Sequence, residues 1–120
     1  MGTIIHDHVV ITMYDYNREK VVEVENYLRE HFQNTFAGPI SSPVNGFITF
    51  VVTTSGSKLG WEHYNNHRNE IDFLKKFLIS NNVYASYVHL TFGDSCDCSA
   101  YIEDCSSCLK EDVDEPDSLY

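Results

Sequence analysis

The feature that most constrains the fold is an alternating apolar segment that directly follows an Asn-Gly dipeptide. Asn45-Gly46 favours a two-residue hairpin turn of type I′, because both central positions of that turn need positive φ. In residues 47–54, apolar side chains recur at every second position, as they do in a strand with one buried face. The residues of this strand predicted to face the core are Ile48, Phe50 and Val52.

The composition of two further segments predicts where they lie in the sheet. The arm before the turn, about 39–44, contains Pro39 and Pro43. Proline has no backbone N–H to donate to a neighbouring strand, so this arm is predicted to lie at an edge of the sheet. Residues 4–14 are apolar on both faces, which favours a central strand with a neighbour on each side.

Two segments have the three- and four-residue apolar spacing of amphipathic helices. The first covers about 17–32 and the second about 58–80. The buried stripe of the first helix is predicted to be Val21, Val24, Leu28 and Phe32. The stripe of the second is predicted to be Trp61, Tyr64, Ile71, Leu74 and Leu78, with Phe77 beside it.

The last strong strand covers 84–92. Its more apolar alternate set is predicted to face the core, and its more polar set is predicted to face away. The core-facing set is Val88, Leu90 and Phe92. The outward set is Tyr87, His89 and Thr91.

The resulting order, β-α-β-β-α-β, predicts an α+β fold of the ferredoxin-like type. In this arrangement two helices cover one face of a four-stranded antiparallel sheet with strand order 4-1-3-2. That order places the first strand centrally and the proline-containing second strand at an edge, in agreement with the separate predictions for each strand. The predicted domain covers 1–93, and residues 94–120 form an acidic, cysteine-containing extension.

Charge divides the chain at the same point. Residues 1–93 hold nine acidic and seven basic side chains, whereas 94–120 hold nine acidic side chains and only Lys110. The acidic surface repels nucleic-acid phosphates and favours a protein partner with a basic surface. The partner-binding residues predicted on it are Asp94, Asp97, Glu103, Asp104, Glu111, Asp112, Asp114, Glu115 and Asp117.

Several short motifs resemble a family of small phage and bacterial proteins that share an SPxNG…GSKxGW pattern. The likeness covers about 1–94 and rests on SPVNG at 42–46, GSKLGWE at 56–62, Arg68, Phe73, Leu78 and FGD at 92–94. It implies a phage or prophage context, with the cytoplasm of a bacterial host as location, and it implies no catalytic activity. No apolar run long enough to span a membrane and no secretory signal pattern is found in the sequence.

Four cysteines give the spacing C-x-C-x6-C-x2-C and could supply four thiolate ligands to zinc. They are Cys96, Cys98, Cys105 and Cys108. The six-residue loop between the pairs is short for a zinc ribbon, and the acidic neighbours disfavour thiolates before a metal arrives. Reduced free thiols and disulfides therefore stay open as alternatives.

Two histidine patterns have weaker implications. His63 and His67 lie four apart on the second helix and could bind a metal with Glu62 or Glu70, although a solvated helix face explains them more simply. His89-Leu90-Thr91 resembles one half of the paired H-x-T motif of 2H phosphoesterases. That chemistry needs a second histidine as acid or base, and the chain has no second H-x-T. An exposed strand face is the preferred interpretation of this segment.

No catalytic residues can be assembled from local spacing, so the sequence favours a non-enzymatic protein-interaction module. Its predicted partner is a host or phage protein that contacts the acidic surface or the uncovered sheet face. A homodimer formed through the uncovered face or the edge of the sheet is also open. The alternative is a small zinc-dependent enzyme or a zinc-stabilised protein.

Overall fold

A computed structural model of the protein describes residues 4–14, 18–53, 57–58, 62–93 and 101–106. Among these it contains two helices, five longer strands and one two-residue strand. The elements in chain order are β1 (Ile4–Tyr14), α1 (Arg18–His31), β2 (Phe36–Ser41), β3 (Phe47–Thr53), β4 (Ser57–Lys58), α2 (Glu62–Ser80), β5 (Ala85–Gly93) and β6 (Tyr101–Ser106).

The strands form one antiparallel sheet in the order β2-β3-β1-β5-β6, with β4 paired to one end of β1. The predicted α+β class is confirmed, as are the central position of β1 and the edge position of β2. The sheet differs from the predicted four strands because β6 adds a strand beside β5. Residues 101–106, which belong to the predicted acidic extension, therefore form part of the sheet.

The predicted two-residue turn at Asn45-Gly46 is wrong, because residues 42–46 form a longer loop between β2 and β3. Gly46 has the positive φ expected of it, 71°. Among the described non-glycine residues only Asn82 has positive φ, so Asn45 does not adopt the type I′ conformation. The Ser42 hydroxyl accepts a hydrogen bond from the backbone N–H of Asn45 over 3.4 Å and supports the wider loop.

Edge strand β2 approaches β3 very closely at Gly38. A Cβ atom at this position would lie 2.8 Å from the Phe50 ring and 2.8 Å from the Thr49 carbonyl oxygen. Gly38 also has a φ of 129°, which side chains other than hydrogen rarely permit. The register of β2 against β3 shifts here, next to Pro39, where a proline interrupts the ladder at least cost.

Both helices cover the same face of the sheet, because their buried side chains join one core with one face of β1, β3 and β5. The predicted stripe of α1 is confirmed, as is the buried set of β3. In α2, Ile71, Leu74 and Leu78 are buried as predicted, whereas Trp61 and the side chain of Tyr64 lie outside the described part of the chain. The helix begins at Glu62 and not near residue 58, since Ser57–Lys58 pairs with β1. Neither described helix is long and apolar enough to cross a membrane.

The two faces of β5 are opposite to the prediction. Tyr87, His89 and Thr91 are buried under the helices, at 1%, 5% and 1% exposure. The set predicted to face the core, Val88, Leu90 and Phe92, lies half-buried on the other face. The register explains the reversal, because Tyr87 lies opposite Ile11, and directly opposed residues of neighbouring strands point to the same side.

Candidate functional site

The sheet face that the helices leave uncovered carries an apolar row that crosses all five longer strands. Successive strand pairings place Ala37 opposite Val51, Val51 opposite Val10, Val10 opposite Val88 and Val88 opposite Cys105. These five small side chains therefore lie side by side on one surface. Free cysteine packs as a small apolar residue, so the row is apolar from edge to edge.

Larger side chains extend this row along the strands. Leu90 lies opposite His8 on one side and Ile102 on the other. The Phe92 ring stacks on His8, with ring centroids 5.3 Å apart and an angle of 10° between the planes, and it lies 5.1 Å from His6. We call the resulting surface the open face and define it by Ala37, Ile40, Val51, Val10, Val88, Leu90, Phe92 and Ile102.

The open face has no acidic or basic side chain on its three central strands. Within the described parts of β1, β3 and β5, every Asp, Glu, Lys or Arg lies on the other face. Only His6 and His8 can acquire charge there. Burial beside Phe92, together with the neighbouring His6, lowers the pKa of His8 despite the opposing effect of Asp7. The imidazole of His8 is therefore neutral at pH 7.

Such a face is unusual for one that faces solvent. In an antiparallel sheet with a single covered face, the other face normally carries polar residues. Here the side chains at its two margins, Ile40 on β2 and Ile102 on β6, are 51% and 59% exposed. No element among the described residues packs over them, since both helices lie on the opposite side. Contiguous exposed apolar surface of this kind marks protein interaction sites.

A compact polar cluster lies on the helix-covered face, in the N-terminal half of β1. Asp7 is 1% exposed, and its Oδ1 atom accepts hydrogen bonds from His89 Nε2 (2.9 Å), Thr91 Oγ1 (2.8 Å) and the Arg68 guanidinium (3.0 Å). Burial raises the pKa of Asp7, but the bonds from His89 and Thr91 and the charge of Arg68 outweigh it, so the pKa lies below its ordinary value. Asp7 is therefore an anion at neutral pH, and the three partners stabilise it.

Ion pairs connect the same region to β6. Arg68 also contacts Glu103 over 3.0 Å, and Lys75 contacts Asp104 over 2.6 Å. The Lys75 ammonium lies 5.5 Å from the centre of the Tyr87 ring, whose pKa is raised by burial and by the nearby charge of Asp104. Helix α2 thus holds the added edge strand through two basic side chains.

The predicted partner-binding surface is described only in part. Glu103 and Asp104 are engaged by Arg68 and Lys75 within the chain. The other predicted acidic residues, from Asp94 to Asp117, lie outside the described residues.

The predicted zinc ligands are described at one position only. Cys105 is a free, exposed thiol at the margin of the open face. Cys96, Cys98 and Cys108 lie outside the described residues, as do the side chains of His63 and His67. Within the described residues, no three His, Cys, Asp or Glu side chains are grouped as metal ligands.

The structure places His89 and Thr91 beside each other, as the H-x-T pattern requires, but brings Asp7 to them and not a second histidine. The preferred interpretation, an exposed His89, is wrong, because the side chain is buried. Sequence analysis did not identify Asp7. One signal was present, since Asp7 has the same alternation as the buried Val9 and Ile11.

Comparison of the chain with protein-family models, with curated proteins and with solved structures gives no match. The resemblance to the SPxNG…GSKxGW family therefore stays a prediction from the sequence. Of the two sites, the Asp7 cluster brings its polar side chains into contact with one another, whereas the open face presents apolar side chains that no described element covers. The open face is therefore the candidate interaction surface of the described residues.

Proposed function

We propose that the protein is a non-enzymatic interaction module that binds a partner protein through the open face. The observation that carries this proposal is the uncharged apolar row from Ala37 to Cys105, which no described element covers. Covering apolar surface contributes about 25 cal/mol per Å², so removing such a row from water is a substantial driving force for association.

We propose a ferredoxin-like core with β6 added at one edge. The order β5-β1-β3-β2 within the sheet supports this arrangement, because it matches the predicted order 4-1-3-2. The added strand lies beside β5 and widens the open face by one strand. The extension thus contributes Ile102 and Cys105 to the binding surface.

The partner that we propose is a host or phage protein in the cytoplasm of a bacterial cell, on the strength of the sequence resemblance. The net charge of −10 supports a second contact, in which the acidic residues of 111–117 attract basic groups of a partner. Binding of zinc by the four cysteines, as a structural or catalytic ion, is the alternative role for the extension.

Site-specific photo-cross-linking in bacterial cells tests the open face directly. A photoreactive amino acid at residue 102 is expected to form covalent adducts, because the Ile102 side chain is 59% exposed on this face. The matched control is residue 22, where Val22 is 52% exposed on the outer side of α1. Equal labelling at both positions, or none at either, would contradict the proposal.

Irradiation of lysates at low and at high salt distinguishes the two contacts, because an adduct forms only where the contact persists at the moment of irradiation. Apolar association through the open face is expected to survive about 1 M salt, where the Debye length falls to about 3 Å. Adducts that disappear at that ionic strength would assign the binding to the acidic residues.

A further inference from the structure

The geometry points to a second copy of this chain as the occupant of the open face, in a dimer whose two sheets pack face to face. This inference rests on the proposed function, because it uses the same surface and names its partner. Three properties of the face carry it: charge, area and shape.

The charge distribution favours self-association at this face over the acidic surfaces of the chain. Two copies with a formal charge of −10 repel each other wherever their acidic surfaces approach. The open face is the described surface where β1, β3 and β5 present no Asp, Glu, Lys or Arg. Contact there keeps the charged groups of both copies at the periphery and in solvent. A basic partner would find no anion on this face to pair with.

The area of the face fits a stable dimer. Five strands spaced about 4.8 Å apart give a width of about 24 Å. The pairing of β1 with β5 from Ile5 to Met13 gives a length of about 30 Å at about 3.3 Å per residue. Since β2, β3 and β6 are shorter, with six or seven residues, each copy would cover about 600 Å², or about 1,200 Å² for both. Specific interfaces typically bury about 1,200–2,000 Å² in total.

The shape of the face suits packing of one sheet on another. Its central row contains only Ala, Val and Cys side chains, so it has no bulky projection that would keep a flat partner away. Two such sheets pack about 10 Å apart. Val10 occupies the middle of the row on the central strand, and a two-fold axis passing near it would bury the whole row against its own copy.

The hydroxyls of Thr12 and Thr49 can enter such an interface without losing their partners. Thr12 Oγ1 and Thr49 Oγ1 hydrogen-bond each other across β1 and β3 over 3.0 Å. A hydroxyl pair that is already satisfied avoids the cost of burying an unpaired donor or acceptor. His8 stacks on Phe92 and is neutral at pH 7, so it adds no charge to the face.

Analytical ultracentrifugation of the full chain and three lysine variants tests the dimer. The wild-type protein is expected to sediment with about twice the chain mass of 13.8 kDa. Ile102→Lys and Ile40→Lys each place a charge on an exposed margin of the open face and are expected to weaken the dimer at least about tenfold. Val22→Lys makes the same kind of change on α1 and is expected to leave the dimer unchanged. Circular dichroism checks that each variant folds.

Four outcomes separate this inference from the proposed function. A dimer that neither Ile102→Lys nor Ile40→Lys weakens overturns the assignment to the open face. A monomer at about 100 µM whose residue 102 cross-links to a different protein overturns the second copy but supports the interaction module. A monomer that cross-links within itself, from residue 102 to 107–120, overturns both, because the chain then covers its own face. A monomer without adducts also overturns both.

Discussion

His89 Nε2 donates a hydrogen bond to Asp7 Oδ1 over 2.9 Å and joins β5 to β1 inside the helix-covered layer. The two residues are 82 positions apart in the chain, and both are almost fully buried. Thr91 and Arg68 reach the same oxygen atom. The Asp7 carboxylate thus accepts hydrogen bonds from His89 and Thr91, which belong to the more polar set of β5. Because these polar groups are paired, that set can face the core. The apolar set of β5 is consequently turned outward to form the open face.

Removal of the carboxylate is expected to destabilise the fold strongly. Asp7→Ala leaves the buried His89 imidazole and the Arg68 guanidinium without their shared acceptor. Breaking a buried, charged network from one side typically costs about 3–5 kcal/mol. Urea denaturation measures the loss in the free energy of unfolding. Asp72→Ala, on the exposed surface of α2, is the control and is expected to stay within about 0.5 kcal/mol of wild type. A similar loss from both variants would contradict the role of the network.

The contribution of Asp7 to stability is expected to depend on pH in a defined direction. The pKa of Asp7 in the folded protein lies below its ordinary value of 3.8. The carboxylate therefore stabilises the fold above that value, and the contribution is lost as the pH falls through the folded pKa. Urea denaturation of wild type and Asp7→Asn from pH 7 to pH 2.5 should show a constant difference above about pH 5 that shrinks below about pH 4. A difference that grows on acidification would oppose this assignment.

The hydroxyl of Thr91 can be tested by itself. Thr91→Val keeps the shape of the side chain but removes the donor that lies 2.8 Å from Asp7 Oδ1. Loss of a hydrogen bond to a charged group is expected to cost about 1.5–3 kcal/mol. Thr91→Ser retains the hydroxyl and is expected to recover part of the lost stability in the same urea titration. If Val and Ser variants are equally unstable, methyl packing and not the hydrogen bond is responsible.

The ion pair between Lys75 and Asp104 is expected to hold β6 in place with little effect on global stability. Both side chains are partly exposed, so solvent screens the pair and its contribution is below about 1 kcal/mol. Lys75→Met should accelerate amide hydrogen exchange in residues 102–105 relative to β1. Lys76→Met is the matched control, because Lys76 lies next in α2 and contacts Phe73. Equal acceleration in both variants would assign the effect to helix α2 in general.

Acid is expected to weaken the proposed dimer through His8. Its imidazole faces His6 and the ring of Phe92 on the open face, while Asp7 follows His6 in the chain and lies on the other face. A lowered pKa means that protonation is unfavourable there, so a proton gained at low pH opposes association. Sedimentation at pH 7.5 and pH 5.0 should show a Kd raised about tenfold in acid, and His8→Gln should remove most of the change. An identical pH response in His8→Gln would assign the effect to His6 or to the acidic residues.

Several elements of the fold could be predicted because local pattern was sufficient. The apolar spacing from Val21 to Leu28 correctly predicted the buried face of α1. The alternation of 47–53 correctly predicted the buried face of β3. The prolines of 39–44 correctly indicated an edge strand. The turn at Asn45 was not predictable from its dipeptide, since the Ser42 hydroxyl supports a wider loop.

The open face and the Asp7 cluster depend on contacts between distant parts of the chain. The sequence alone therefore assigned the two faces of β5 wrongly and did not identify Asp7. Both alternate sets of β5 are compatible with burial, and only the pairing of Tyr87 with Ile11 decides between them. The partners of Asp7 come from α2 and β5, more than 60 positions later in the chain. Val88 was consequently assigned to the core, although it lies between Val10 and Cys105 in the apolar row that crosses the open face.

The two edge strands of the sheet are protected against pairing with a further strand, whereas no described element covers the open face. At one margin, Pro39 and the register shift of β2 interrupt the ladder of backbone donors. At the other, β6 has its own irregularity, and Glu103 and Asp104 are held by α2. Both devices discourage a further strand from adding to the sheet. Lateral growth into a fibre is thereby discouraged at both edges, and in the proposed dimer stacking through the open face would end once two copies have met. An exposed apolar surface would then be compatible with a closed assembly of fixed size.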